Sequence, residues 1–192
     1  KTIPTAYALG SAASTPGFKV NAFCTDASGP GPKATLNIIA AEQQIAGGIV
    51  DAGGTPYPNL ASPSSGSDSS VNWSLNGASD LAGNFTSTNP PGGLYPDREF
   101  LGVGPSSPNF VFDNFTHEVN AYLRLTAGAY RMIVNSDDGF KVSVAPGLGN
   151  PDGTVLGGFL TGGKGASDVS VDFVITADGD YPFRLLYYQG GQ

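Results

Sequence analysis

Two regions in the C-terminal half of the chain alternate apolar and polar residues, and this pattern constrains the fold more than any other feature. Apolar side chains occupy every second position in 119–125, 130–134 and 140–144, and again in 169–175 and 181–187. Side chains of a β-strand point alternately to opposite faces, so each stretch predicts a strand with one apolar face. Such faces must be covered by a second layer, which predicts an antiparallel β-sandwich.

The short connections between these strands favour hairpins. In the expected register Val134 lies opposite Val142, because directly opposed residues share a face. This register leaves 137–139 as a three-residue loop, which Gly139 would end in the left-handed backbone region at no steric cost. Residues 178–179 are Asp-Gly, which is a further hairpin signal.

The first half of the chain is less regular. Residues 17–24 alternate like a half-buried strand, and the apolar spacing in 34–46 predicts one helix that stops at the glycine pair 47–48. Gly, Pro, Ser and Asn dominate 53–108, which predicts long surface loops around a short strand at 71–75. The expected fold is therefore mainly β, with one short helix and long loops.

Composition supports this fold and excludes two classes of partner. The 192 residues suffice for one domain with its own core, and 28 Gly with 15 Pro suit many strands joined by turns. A net charge of −7 would repel a nucleic-acid backbone. No apolar run is long enough to insert into a membrane. An acidic surface remains compatible with cations and with neutral glycans.

The sequence offers little material for catalysis. His117 is the only histidine, and no G-x-S-x-G elbow is present, so a serine-type triad is not expected. We expect His117 to be a polar residue at a strand edge. The glycine-rich stretch 162–167 lacks the residue order of a phosphate loop. The sequence therefore predicts a protein that is not an enzyme.

Five aromatic residues have two interpretations. A flat aromatic face with a polar tip can stack on a sugar ring, whereas most large aromatics in strands belong to the core. The residues in question are Tyr57, Trp73, Tyr95, Tyr187 and Tyr188.

Two motifs in the orderly half of the chain resemble the PA14 family. The first is the S-D-D-G sequence at 136–139, and the second is G-D-Y-P-F-R-L at 179–185. The resemblance covers roughly 117–190, and the earlier part looks like the variant found in large exported proteins of environmental bacteria. It implies a sandwich or jelly-roll-like domain that acts as a non-catalytic, extracellular or cell-surface module for binding or adhesion.

The resemblance also implies a ligand site. In the lectin-like members of the family, paired aspartates joined by a cis peptide bind Ca²⁺, which in turn chelates sugar hydroxyls. The corresponding residues are Asp137 and Asp138, which are therefore the expected ligand-binding residues for a polysaccharide or glycan. Asn135 is a further expected calcium ligand, and Asn150 and Asp152 are expected near the turn. Two carboxylates alone are too few for Ca²⁺, which takes six to eight oxygens.

The N-terminal segment has its own possible role. Residues 1–15 are expected to form an extended arm or linker, and 16–192 a single PA14-like domain. Ile3, Tyr7 and Leu9 share one side of an extended chain, so they would form the contact surface of an assembly arm.

The alternative function is structural. Members of the resembled family continue into a last apolar strand where this chain reads Gly-Gly-Gln at 190–192, which is explained either by truncation or by a strand from a neighbouring copy. Donation of the N-terminal arm would then build a head-to-tail filament or matrix. The start at Lys1 without methionine suggests a processed or excised piece.

Overall fold

The structure, a computed structural model, describes residues 1–10, 16–25, 37–74, 98–108 and 113–190. These residues form ten strands and one α-helix, preceded by a short 3₁₀ turn at Thr5–Tyr7. The helix α1 is Ile38–Ile45, and the strands are β1 Phe18–Cys24, β2 Ser65–Asp68, β3 Trp73–Ser74, β4 Arg98–Glu99, β5 Phe115–Leu125, β6 Gly128–Ser136, β7 Gly139–Val144, β8 Thr154–Phe159, β9 Ser167–Ile175 and β10 Gly179–Gln189.

Two antiparallel sheets form a β-sandwich, which confirms the expected fold class. The larger sheet has six strands in the order β2-β1-β5-β10-β7-β8, and the smaller sheet pairs β6 with β9. The short strands β3 and β4 form a separate parallel pair, and Leu75, at the end of the expected strand, lies outside the described residues. None of the helices formed by the described residues is long and apolar enough to span a bilayer.

The core fills the space between the two sheets with the apolar sets that the alternation predicted. Burying these side chains supplies the main stabilisation, at roughly 25 cal/mol for each Å² of apolar surface removed from water. Core residues with less than 2% of their surface exposed include Ile3, Cys24, Phe115, Phe140, Val142, Val144, Ile175 and Tyr181.

The expected hairpins are wrong, although the strands themselves are present. β6 pairs with β9, whereas β7 pairs with β10 and β8, so the turn between β6 and β7 crosses from one sheet to the other. The turn at 178–179 likewise joins β9 in the small sheet to β10 in the large one. Val134 is therefore paired with Val169 and Val142 with Leu185, and the expected pairing of the two valines is wrong, although both line a cavity of about 310 Å³.

The helix predicted over 34–46 is present as α1, with 34–36 outside the described residues. The Asn37 side chain accepts a hydrogen bond of 2.9 Å from the backbone N–H three residues on, as an N-cap does. At the other end Gly47, with φ +67°, and Gly48 donate back to helix carbonyls. These two bonds form a Schellman motif, so the glycine pair ends the helix as expected.

A network of charged side chains attaches α1 to the outer face of the large sheet. Arg184 on β10 donates to both carboxylate oxygens of Glu42 on α1, each at 2.7 Å, and to Glu118 on β5 at 2.5 Å. Lys141 on β7 also contacts Glu42. Arg184 and Glu118 are 3% and 5% exposed, so these charges are paired where water cannot solvate them.

The N-terminal arm is docked onto the domain. Ile3 is fully buried in the core, and its N–H donates to the Val174 carbonyl of β9 at 3.0 Å. Leu9 forms an antiparallel bridge with Asp180 of β10, and Tyr7 packs against the same core. The arm therefore contacts its own domain through the side chains expected to serve assembly, and donation to a neighbour would require Ile3 to leave the core.

Candidate functional site

The S-D-D-G turn lies at one end of the sandwich, where three chain segments meet. Its central residues, 137–138, connect β6 to β7. The loop 160–166 follows β8 and leads into β9, and Gly190 directly follows β10. Hydrogen bonds from both neighbouring segments reach the turn, so it is held on two sides.

Asp138 is the structural member of the aspartate pair. It has a left-handed backbone, with φ 61°, and is 3% exposed. Its Oδ2 accepts a hydrogen bond from the Gly190 N–H at 2.6 Å, and its Oδ1 accepts one from the Lys164 N–H at 3.2 Å. The Asp138 N–H in turn donates to the Lys164 carbonyl at 2.9 Å. The buried carboxylate therefore ties the three segments together.

Asp137 is the outward-facing member of the pair. Its side chain is exposed, while its backbone carbonyl accepts a hydrogen bond of 2.8 Å from the Tyr187 hydroxyl. The backbone of Asp137 is therefore anchored, while its carboxylate is accessible from solvent. Among the described residues the cis peptide bond is Ser62–Pro63, so the bond between Asp137 and Asp138 is trans.

Gly139 is required for a reason other than the expected one. The left-handed residue of the turn is Asp138, and Gly139 itself has no left-handed φ. A Cβ at Gly139 would lie 2.2 Å from the ring and hydroxyl of Tyr188, a distance that atoms cannot adopt. Glycine is therefore needed here because the neighbouring aromatic ring approaches so closely.

Tyr187 and Tyr188 belong to the support of the turn and not to a sugar platform. They are 8% and 1% exposed, and the Tyr188 hydroxyl donates to the Gly162 carbonyl at 2.9 Å. Burial, followed by the charge of Asp138, raises the pKa of Tyr188 to about 12, and burial raises the pKa of Tyr187 well above its usual value. Both hydroxyls therefore stay protonated and act as donors.

The other three aromatics do not meet at the turn. Trp73 is half-buried against Phe100, with ring centroids 5.5 Å apart, and its Nε1 donates to Asp68 at 2.9 Å. Tyr57 is half-buried in the segment after α1. Tyr95 lies outside the described residues.

The expected additional calcium ligands fall into two groups. Asn135 lies on β6 close to the turn, where its side chain donates to Asp168 Oδ1 on β9 at 2.7 Å. Asn150 and Asp152 lie in the loop after β7, which is at the opposite end of that strand from the turn, and they contact each other through a 2.8 Å hydrogen bond. The structure thus brings Asn135 to the turn and places the other two elsewhere.

Lys164 is a residue of the turn that the sequence did not indicate. Its ammonium donates to the carbonyls of Ser136 and Ser167 and to the Ser167 hydroxyl. Burial lowers the pKa of Lys164, while the charges of Asp137, Asp138 and Asp168 oppose that effect. The only signal for it was a basic residue within a glycine-rich loop, in a chain with nine Lys and Arg in total.

The donor set of the turn does not favour a divalent ion. Both oxygens of the Asp138 carboxylate already accept backbone hydrogen bonds, and an ammonium takes the neighbouring carbonyl and hydroxyl oxygens. No group of three acidic, histidine or cysteine residues that could hold a metal occurs within the part of the chain that the structure describes. Calcium binding at Asp137, Asp138 and Asn135 stays a prediction that these contacts do not support.

His117 is not at a strand edge as expected. It lies on the inner face of β5, which has β1 on one side and β10 on the other, and it is fully buried. Its Nε2 lies 2.9 Å from the Leu101 carbonyl. Without access to solvent, this imidazole cannot exchange protons with a bound substrate.

The fold is similar to that of solved PA14 domains. The chain superposes on the PA14 sugar-binding domain from an RTX adhesin with a TM-score of 0.55 and 20% identity, over 93% of this chain and 85% of that one. It superposes on the PA14 domain of the MpAFP antifreeze protein with a TM-score of 0.51 and 20% identity, over 95% and 82% of the two chains. No protein-family model matches the sequence, and no curated protein matches it. The fold is therefore PA14-like, as the two motifs predicted.

Proposed function

We propose that this chain is a non-catalytic adhesion module, displayed outside the cell or on its surface, that binds carbohydrate through the end of the sandwich carrying Asp137. The PA14-like fold supports this proposal, since one solved domain of the same fold is a sugar-binding domain of an adhesin. Fold alone does not fix function, so the ligand class must also suit the chemistry of the site.

The observation that carries the proposal is an exposed carboxylate on an anchored backbone. Asp137 presents two oxygens to solvent, while Tyr187 and the neighbouring Asp138 hold its main chain in place. A carboxylate can accept hydrogen bonds from two adjacent sugar hydroxyls, and an anchored backbone lowers the entropy lost when the loop is ordered on binding. The exposed Asn135 and Asp168 pair beside it offers further polar contacts.

A glycan screen followed by titration calorimetry tests this role. Wild type should bind at least one glycan, and Asp137→Asn should weaken that binding by roughly 10- to 100-fold, because it removes charge-assisted hydrogen bonds. Asp152→Asn is the matched control, since it makes the same change in an exposed loop at the other end of β7. Equal losses in both variants, or no glycan bound by wild type, would contradict the proposal.

A further inference from the structure

Lys164 places a positive charge at the turn that also holds the Asp137 and Asp138 pair. Its ammonium donates to the Ser136 carbonyl, to the Ser167 carbonyl at 2.9 Å and to the Ser167 hydroxyl at 3.1 Å. An ammonium has three N–H donors, so these three acceptors satisfy it completely. Carbonyl and hydroxyl oxygens are also ligands that a hard cation such as Ca²⁺ takes.

Negative charges nearby also act on this ammonium. Asp137, Asp138 and Asp168 all interact with Lys164 through their charge. A divalent ion among the same oxygens would meet the positive charge of the lysine, and like charges at short range repel strongly in a partly buried site. The lysine and a divalent ion could therefore not use these oxygens at the same time.

The backbone fixes the lysine at this position. The Lys164 N–H donates to Asp138 Oδ1 at 3.2 Å, and the Asp138 N–H donates to the Lys164 carbonyl at 2.9 Å. This reciprocal pair sets the register of the loop 160–166 on the turn. The main chain of Lys164 is therefore held in place. Its side chain reaches acceptors on Ser136, the last residue of β6, and on Ser167, the first residue of β9.

We infer that Lys164 is an internal counter-cation, which takes the place of a divalent metal ion at the turn and makes ligand binding by this domain independent of calcium. The contacts of the lysine do not depend on which ligand the turn binds. The part of the inference that concerns ligand binding rests on the proposed function, whereas the replacement of the metal ion can be tested without a glycan.

Calcium titrations of wild type and Lys164→Met test the inference. Wild type should give no saturable heat with Ca²⁺ and the same Tm in CaCl₂ and in EDTA. Lys164→Met removes the charge but keeps most of the side-chain volume, and it frees the two carbonyl oxygens and the hydroxyl oxygen that the ammonium occupied. This variant should gain a calcium site, and near 100-fold saturation its Tm should rise by about 5–10 °C over its value in EDTA.

Lys19→Met is the matched control, since Lys19 is an exposed lysine on β1 and its loss changes the net charge equally. This control should behave like wild type. Saturable calcium binding by wild type would overturn the inference, and so would a folded Lys164→Met variant that gains no calcium affinity.

A measurement on wild type alone covers the case in which Lys164→Met does not fold. Hydrogen bonds slow the exchange of ammonium protons with water, so the Lys164 ammonium should give a ¹H–¹⁵N signal that persists at a pH where the Lys19 signal has broadened away. Equal exchange at both lysines would overturn the inference. Glycan titrations in EDTA and in CaCl₂ should give equal affinities, and failure to bind any glycan would count against the proposed function and not against the lysine.

Discussion

His117 is held neutral by its surroundings. Its ring lies among those of Trp73, Phe100 and Phe115, at centroid distances of 5.3–5.4 Å. Burial lowers the pKa of His117 to about 4, and the hydrogen bond to the Leu101 carbonyl offsets this only in part. If Nε2 carries the proton of that bond, Nδ1 is a buried acceptor without a partner among the described residues. A proton added at Nδ1 would give the ring a positive charge that water could not solvate.

This environment predicts a pH-dependent stability. The folded pKa of about 4 is below the unfolded value of 6.5, so stability is fully present above the unfolded pKa and falls as the pH drops toward the folded one. Between about pH 7 and about pH 5 the free energy of unfolding should fall by about 2 kcal/mol. Urea denaturation at both pH values should show this loss in wild type and not in His117→Phe. An equal loss in the two proteins would contradict the assignment.

The sequence motif located the aspartate pair of the site, but the roles of the individual residues depend on contacts between distant parts of the chain. The aspartate pair could be found from the S-D-D-G motif, but only the backbone conformation shows that Asp138 points inward and Asp137 outward. Lys164 could not be found in this way, because its role depends on a turn 26 residues earlier in the chain. The left-handed conformation predicted for Gly139 is wrong, since Asp138 adopts it, and the close approach of Tyr188 to Gly139 was not visible in the sequence.

At the scale of the elements, alternation predicted the strands and the buried face of each, but it could not predict their partners. The register of β6 on β9 places Met132 opposite Val171, and the register of β7 on β10 places Val142 opposite Leu185. The apolar residues of a strand alternate with the same period whether the next strand pairs with it in the same sheet or belongs to the opposite sheet. The short connections at 126–127 and 137–138 suggested hairpins, and both instead change sheets.

The docked arm gives a prediction at this scale. Ile3 is fully buried, so Ile3→Ala should lower the free energy of unfolding by about 2–4 kcal/mol through the cavity that it leaves. Ile39→Ala is the matched control, because Ile39 is 69% exposed on α1 and its truncation should change stability by less than about 0.5 kcal/mol. Thermal denaturation of the two variants at equal concentration measures the difference.

The same experiment separates docking within one molecule from donation to a neighbour. If the arm completed the sheet of another copy, the Tm of wild type would rise with protein concentration. A Tm that is independent of concentration, together with the loss in Ile3→Ala, is the expected result. A concentration-dependent Tm would favour the filament alternative.

At the scale of the whole molecule, three layers are stacked: the β6–β9 sheet, the six-stranded sheet and α1. The apolar faces predicted two of these layers, whereas the position of the helix depends on the contact between Glu42 and Arg184, which are 142 residues apart. Among the described residues, the apolar cluster beneath the helix is small, made of Ala41, Leu186 and Tyr188 with flanking isoleucines. The charged network must therefore contribute to holding the third layer.

Glu42 is the residue on which this attachment depends, because it is the helix's contact with both Arg184 and Lys141. Glu42→Gln keeps the shape but leaves those two cations with less counter-charge. We expect a loss of about 2–4 kcal/mol, toward the lower end because the Glu42 side chain remains 25% exposed. Asp172→Asn is the control, since it breaks an exposed pair with Arg131 and should cause no measurable loss.

Acid should remove the difference between wild type and Glu42→Gln. Burial acts to raise the pKa of Glu42, but hydrogen bonds from Arg184 and Lys141 outweigh it and lower the pKa below the usual 4.5. The contribution of a carboxylate with a lowered pKa is present above its unfolded pKa and is lost as the pH falls through its folded pKa. Denaturation curves should therefore differ near neutral pH and converge in acid. A difference that persists after Glu42 is protonated would assign the loss to packing of the helix and not to its charge.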